Sequence, residues 1–267
     1  MKRWFVGGSA VVGVVAAFAL AVTVGMYVGG GAYASGTADR GVPNAVPAAV
    51  ATMPGTAGPS PAPSPSPGPG ELPGPLPTGS ATEPVVALFV GDSYTAGQGV
   101  ESRALRWSTL VARAMGWTEL NVADGGTGFV SRFPGSNKLS YSEQMLSVRY
   151  PARIDVVVIA GGQNDFNELR EDPGMVFEAV EDTYALAKEL FPQAAILSVG
   201  PSTQRTVGLE ARALDSAVRA AAERYDATYV SLLDPNVIRK RYIGEDKVHM
   251  NDEGYAAIAH RVLAQIS

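Results

Sequence analysis

VVALFVGDSYTAG, residues 85–97, decides how this chain folds. Its first six residues are all apolar and half of them are valine. A strand with no polar face must be covered on both sides, the condition of a parallel strand inside an α/β sheet. Gly91-Asp92-Ser93 then turns the chain where a helix would begin. Similar runs recur at Leu120–Ala123, Asp155–Ala160, Ala194–Val199 and Thr228–Leu232. Between them, Phe177, Val180, Tyr184, Ala187 and Phe191 repeat at helical spacing, as do Val207, Ala211, Leu214, Val218, Ala221 and Tyr225. A last helix is expected from Asn251, a good N-cap, to about Gln265. This alternation predicts an α/β fold with an open, doubly wound, five-stranded parallel sheet. In such sheets ligands sit outside the carboxyl ends of the strands, so chemistry is sought in the segments that follow them.

Outward from this region the composition changes. The 183 residues from Val85 to Ser267 carry 18 Lys and Arg against 23 Asp and Glu, a net charge of −5. A nucleic-acid partner would need a basic face, so none is expected. The chain has no cysteine, which excludes disulfides, zinc-thiolate sites and a thiol nucleophile. With only two histidines, His249 and His260, a multi-histidine metal site would have to use both.

Residues 41–84 hold 13 of the 19 prolines and only two charges, Glu71 and Glu83. Such a segment has little to bury and reads as a proline-rich, disordered linker. Ahead of it, in residues 1–40, Lys2 and Arg3 precede an uncharged run. Its apolar heart, Phe5–Val28, is 24 residues, about 36 Å as a helix and enough for a ~30 Å bilayer core. The two basic residues should stay inside, which places the rest of the chain outside. Two fates are expected for this segment. One is a retained single-pass anchor, favoured by its length; the other is a signal peptide cut after Ala32-Tyr33-Ala34, leaving a secreted protein. The domains are therefore 1–40, 41–84 and 85–267.

Four strand-end segments carry candidate chemistry. Ser93 follows the first strand, where its hydroxyl stands at the sheet edge; serine needs a base to become a nucleophile. Asp246 and His249 lie close enough for a tight turn to set the carboxylate beside the imidazole. Asn164 follows a strand through Gly161 and Gly162, and its amide suits an oxyanion. Gly126 offers a bare backbone N–H. Taken singly, each also reads as an ordinary turn or cap. The GGTG string at 125–128 is no phosphate loop, because no GK[ST] follows and Ser131 stands where a third glycine would be needed.

Together, GDSYTAG, NVADGG, GGQND and DKVH resemble the blocks of the SGNH hydrolases, the GDSL esterase/lipase family, across essentially all of residues 85–267. The resemblance implies a flavodoxin-like three-layer α/β/α sandwich. It also implies that Ser93 is the nucleophile, His249 the general base and Asp246 its orienting acid. The oxyanion hole would be Ser93, Gly126 and Asn164, with Gly128 a lesser candidate than Gly126. Met250 departs from the proline found after the histidine in many members. Asp92 and Asp165 are expected to hold loops through backbone N–H groups, and His260 to lie on an exposed flank. Tyr94, Phe129, Phe133 and Tyr141 are candidate cleft walls.

The expected activity is extracytoplasmic hydrolysis of short acyl, above all acetyl, esters of carbohydrates or similar polar alcohols, without cofactor or metal. The argument for a polar substrate rests on the longest segments between the blocks, Phe129–Arg153 and Pro201–Thr206, rich in Ser, Arg, Asn and Gln; SRFPGSNKLSYSEQ, residues 131–144, in particular offers hydrogen-bonding groups that suit sugar hydroxyls. Acyl transfer through the same site, lipid ester cleavage and non-catalytic glycan binding are the alternatives. The expected partners are a small acyl ester or an acylated glycan. The membrane is met through the N-terminal segment alone, and the chain is expected to be a monomer.

Overall fold

A computed structural model of the chain describes residues 73–132, 136–148 and 153–266. The N-terminal segment 1–40 and most of the proline-rich segment lie outside the described residues. Among the described residues, no helix is long and apolar enough to cross a membrane.

Five strands, β1 (Val85–Gly91), β2 (Trp117–Asn121), β3 (Val156–Ala160), β4 (Ala195–Val199) and β5 (Thr228–Val230), form one parallel sheet in the order β2-β1-β3-β4-β5. Helices α1 (Ser93–Ala96), α2 (Trp107–Met115), α3 (Tyr141–Leu146), α4 (Phe166–Glu171), α5 (Pro173–Leu190), α6 (Leu209–Arg224) and α7 (Asp252–Ile266) follow the alternation read from the sequence. The central strands are apolar on both faces because both are covered. Ala87 and Phe89 point into one core, with Trp107 and Val111 of α2 and Tyr255 and Ile258 of α7. Leu88 and Val90 point into the other, with Tyr141 of α3, Val180 and Tyr184 of α5 and Leu214 of α6. Each fully buried Val, Leu or Phe contributes roughly 1.5–3 kcal/mol. The layers are thus helix, sheet, helix.

Several expected boundaries move. The second strand begins three residues before Leu120, at Trp117. Gly116 closes α2 in the left-handed region (φ 71°), so the chain enters the strand at once, and Val85 pairs with Trp117. An edge strand need not be apolar throughout, and only Trp117 of β2 is buried. In α5, Val176 takes the core position expected of Phe177, which is 37% exposed. Phe191 and Tyr225 end their helices as caps, and Val207 precedes α6. Packing also reaches upstream of residue 85. Leu76 is buried in the core beside α2, Pro77 O accepts from Trp117 Nε1 at 2.7 Å, and Gly79 N–H donates to Met115 O at 2.9 Å.

The order 2-1-3-4-5 places the topological switch between β1 and β3, whose last residues, Gly91 and Ala160, are paired. A crevice opens where connections leave neighbouring strands in opposite directions. Ser93 lies two residues beyond β1 and Asn164 four beyond β3.

Candidate active site

Ser93 opens α1, a single turn closed by Gly97 (φ 78°). Gly91 is required here, because a Cβ would lie 2.5 Å from Thr95 Oγ1 and 2.6 Å from Ala160 O. Asp92 caps the turn: its Oδ1 accepts the Tyr94 N–H at 2.8 Å. Its Oδ2 accepts the Tyr141 hydroxyl at 3.1 Å, and that hydroxyl accepts the Gly162 N–H at 2.9 Å. The Ser93 turn is thereby tied to the loop that carries Asn164. Burial pushes the Asp92 carboxyl up to about 7, against the lowering effect of the Tyr94 and Tyr141 hydrogen bonds. Ser93 itself is 7% exposed, and its hydroxyl makes no hydrogen bond among the described residues.

On the β3 side, Gly161 and Gly162 both have positive φ, 120° and 106°. A Cβ on Gly161 would strike the Asp92 carboxylate and the Tyr141 hydroxyl, so only glycine admits the brace. Asn164 Nδ2 donates to Thr127 O at 2.8 Å, which sets the amide beside the loop carrying Gly126 and leaves its second hydrogen unused. Gly126 (φ 77°) keeps its N–H free of acceptors among the described residues, whereas the Gly128 N–H is taken by Ser131 O at 2.9 Å. Asp165 accepts the N–H groups of Phe129, Val130 and Ser131 at 2.8, 3.1 and 2.8 Å. It holds a loop, as does Asp92.

Asp246 and His249 form a close pair before α7, with Nδ1 2.6 Å from Asp246 Oδ2. The turn is fixed by the carboxylate itself, whose Oδ1 accepts the N–H of Val248 at 2.9 Å and of His249 at 2.8 Å. Those two bonds, then the ring, hold the Asp246 carboxyl down at about 2, so it stays ionised through the working range. Gly244 N–H donates to His249 O at 2.7 Å and closes the loop. Met250, in place of proline, is fully buried in the core beneath Gly254.

This loop is fastened to the Ser93 turn. Tyr94 OH donates to Val248 O at 2.9 Å, and its ring stands edge-on to His249, centroids 6.2 Å apart. Gly99 (φ 95°) passes so close to the histidine that a Cβ would lie 3.0 Å from His249 Cβ. All five predicted site residues therefore lie beyond the carboxyl ends of strands or before α7: Ser93 in the first turn of α1, and Gly126, Asn164, Asp246 and His249 on connecting segments. The ring Nε2 has no hydrogen-bond partner among the described residues. His260 lies apart, exposed on α7.

The GDSL-like lipase/acylhydrolase family matches residues 89–257. The chain belongs to that family. GDSL lipase Rv0518 of Mycobacterium tuberculosis is 31% identical over 188 residues, 67% of this chain and 80% of that protein. Among solved structures, a family two carbohydrate esterase from Cellvibrio japonicus superposes with a TM-score of 0.56 at 18% identity, over 68% of this chain. This chain spans only 60% of that esterase. TesA superposes with a TM-score of 0.56 at 17% identity, over 68% of this chain and 98% of TesA. At such identities the structural likeness is one of fold; the family match makes the chain a carboxylic ester hydrolase.

In this GDSL-like hydrolase a cleft of about 390 Å³ opens at Ser93. Tyr94 lines it, as expected, together with Gln163, Asn164, Ser202, Thr203 and Gln204. Phe129 and Tyr141 do not. They pack against each other in the core, centroids 4.9 Å apart, and Phe133 lies outside the described residues. None of the described part of residues 131–144 lines the cleft, because its polar groups are used internally. Arg132 pairs with Glu143, Lys138 with Asp124, and Ser140 caps α3.

Gln144, given no role in the sequence reading, is the deepest of these groups at 1% exposed. Its Oε1 accepts the Gly91 N–H at 3.0 Å. Its Nε2 lies 2.9 Å from Gly91 O, 3.0 Å from Thr127 Oγ1 and 3.0 Å from Leu139 O. One side chain thus braces the Ser93 turn against the Gly126 loop. Its only signal in the sequence is a polar residue on the inner side of a short helix.

Proposed function

We propose that this chain is an extracytoplasmic serine esterase that removes short acyl groups, above all acetyl, from carbohydrates or similarly polar alcohols. The observation that carries the chemistry is the Asp246–His249 pair, joined at 2.6 Å and fastened by Tyr94 to the turn that presents Ser93. His249 Nε2 takes the Ser93 proton as Oγ attacks the ester carbonyl, and Asp246 holds the ring and stabilises its cation. The oxyanion is met by the N–H groups of Ser93 and Gly126 and the free amide hydrogen of Asn164, each worth roughly 3–4 kcal/mol in the transition state. His249 then protonates the departing alcohol, and water cleaves the acyl-enzyme.

The hydrogen-bonding groups in the cleft support the substrate. A long acyl chain gains ~0.8 kcal/mol per buried CH₂. Among the described lining residues, Tyr94, Phe166 and Val248 are apolar or aromatic, while Gln163, Asn167, Ser202 and Thr203 offer hydrogen bonds. The outward location is supported by Lys2, Arg3 and the apolar run behind them.

The test is kcat/KM of the full chain across p-nitrophenyl esters from acetate to palmitate, with Ser93→Ala as control. A steep fall beyond butyrate is expected, together with fluorophosphonate labelling that disappears in the control. An optimum at octanoate or longer would overturn the short-acyl reading in favour of a lipid esterase, as the name of the mycobacterial relative suggests. Labelling or turnover that survives Ser93→Ala would overturn the mechanism.

A further inference from the structure

The charge around the cleft is the reverse of the charge on the molecule. The folded region carries an excess of acids, 23 against 18 bases. Yet the charged side chains lining the cleft are Arg170, Arg205 and Lys247, with no carboxylate among the described lining residues. Glu101, Glu245, Asp252 and Glu253 line a separate depression, which they share with Asp246 and His249.

The three cations are not equivalent. Arg170 is already engaged, with Nε 3.1 Å from Glu210 Oε1 and Nη2 3.0 Å from Asn167 Oδ1. Arg205 and Lys247 have no acidic partner among the described residues. Both are placed by the architecture of the site. Lys247 has φ 61°, unusual for a residue with a side chain, in the turn that joins Asp246 to His249. That turn is held by Gly244 O and the Asp246 carboxylate, so the geometry that pairs acid and histidine also fixes the lysine at the cleft. Arg205 follows Gln204, whose amide bonds Val248 O and also Tyr94 OH at 2.8 Å. The two cations thus stand on loops stitched together beside Ser93.

We propose that the alcohol moiety of the substrate is anionic, a carbohydrate ester bearing a carboxylate or a phosphate, and that Lys247 and Arg205 select it. This rests on the esterase reading above: if the acyl group is short, the remaining cleft is left to the alcohol. A cation that meets an anion at a partly enclosed rim favours encounter and orientation, and its effect is screened by salt.

The experiment compares kcat/KM of the full chain on an O-acetylated methyl galacturonide and on the matching methyl galactoside, with an acetylated hexose 6-phosphate as a phosphate arm. At low ionic strength the anionic ester should be preferred about tenfold on at least one arm, and the preference should shrink in 0.5 M salt. In Lys247→Gln/Arg205→Gln the anionic-to-neutral ratio should fall to about one, and in Lys247→Glu below one. The arm that shows the preference identifies the anion. A wild-type ratio near or below one on both arms would overturn the proposal, and so would a preference that both variants leave unmoved. If none of the three sugar esters and no p-nitrophenyl acetate is turned over, the esterase reading has failed. The same affinity ratio, measured by calorimetry on Ser93→Ala, then decides the present proposal by the same criteria.

Discussion

Replacing Gln144 with leucine keeps the volume of the side chain and deletes its hydrogen bonds. Gly91 O would still accept the Asp124 N–H at 3.1 Å, and Thr127 Oγ1 would still donate to Asp124 O at 2.7 Å. The Gly91 N–H and Leu139 O would each lose the partner the structure gives them. The buried Gly91 N–H left unpaired costs ~1–3 kcal/mol and the part-buried Leu139 O less, so Gln144→Leu should destabilise the fold by about 1–4 kcal/mol. The m-value should hold, since the surface exposed on unfolding does not change. The same deletion frees the Ser93 turn from the Gly126 loop, and a misplacement of about 1 Å costs on the order of 10²-fold in rate. Urea unfolding followed by fluorescence reads the first effect, and kcat on p-nitrophenyl acetate in the absence of urea reads the second. Gln144→Glu restores the acceptor for Gly91 and, when protonated, one donor. It should therefore be less damaging at pH 5 than at pH 8. A loss below about 1 kcal/mol together with unaltered kcat in Gln144→Leu would refute the bracing role.

His249→Ala should abolish esterase activity while His260→Ala, exposed on α7, keeps nearly all of it; an exchange of these outcomes in a p-nitrophenyl acetate assay would undo the site. Asp246→Asn should lower kcat by less than the ~10⁴-fold seen when a serine protease loses its acid, because the carboxylate is open to solvent and water can take its place. Since Asp246 is held at about 2, it remains ionised from pH 8 to pH 4, and the acid limb of kcat/KM should show no titration near the usual carboxylate value. Asp92 has the opposite sign. Its carboxyl is raised from 3.8 to about 7, so the folded state holds its proton more tightly than the unfolded state. The resulting stabilisation is complete at acid pH and is lost as the pH rises from about 4 to about 7, by up to ~4 kcal/mol. Asp92→Asn should flatten that part of the stability–pH curve measured by chemical unfolding, and identical curves would refute the assignment.

How far each feature could be read in advance follows the range of the forces that set it. The central strands are legible because burial on both faces leaves a local trace, an unbroken apolar run such as Val85–Val90. β2 was misplaced because an edge strand is covered only in part and loses that trace. The site segments are legible because they follow strands, and a parallel sheet sends every strand's carboxyl end to one edge. What joins them is not local. Gln144 reaches Gly91 across 53 positions, and Asp92 meets Tyr141 across 49. Nothing near Gln144 or Tyr141 in the sequence says which buried turn it serves.

The same distinction explains why one of the two polar segments that suggest a sugar substrate lines the cleft and the other does not. Residues 131–144 are polar, and polarity alone suggested a sugar-binding wall. A loop that crosses the end of a sheet must first satisfy its own backbone and that of its neighbours. Ser140 and Glu143 cap α3, Gln144 serves Gly91, and Lys138 serves Asp124. The groups left over to face a ligand come from the short segment after β3, from the Pro201–Thr206 segment after β4 that the sequence also points to, and from the histidine turn: Gln163, Asn167, Thr203, Arg205 and Lys247. Specificity in this hydrolase is therefore to be sought on the residues that the sheet edge leaves unspent. They differ from the braces in one measurable way. Exchanging them should alter which ester is preferred and leave the free energy of unfolding within about 0.5 kcal/mol, as surface substitutions generally do. For Arg205→Gln, a loss of stability well beyond that, with substrate preference intact, would place the residue among the braces.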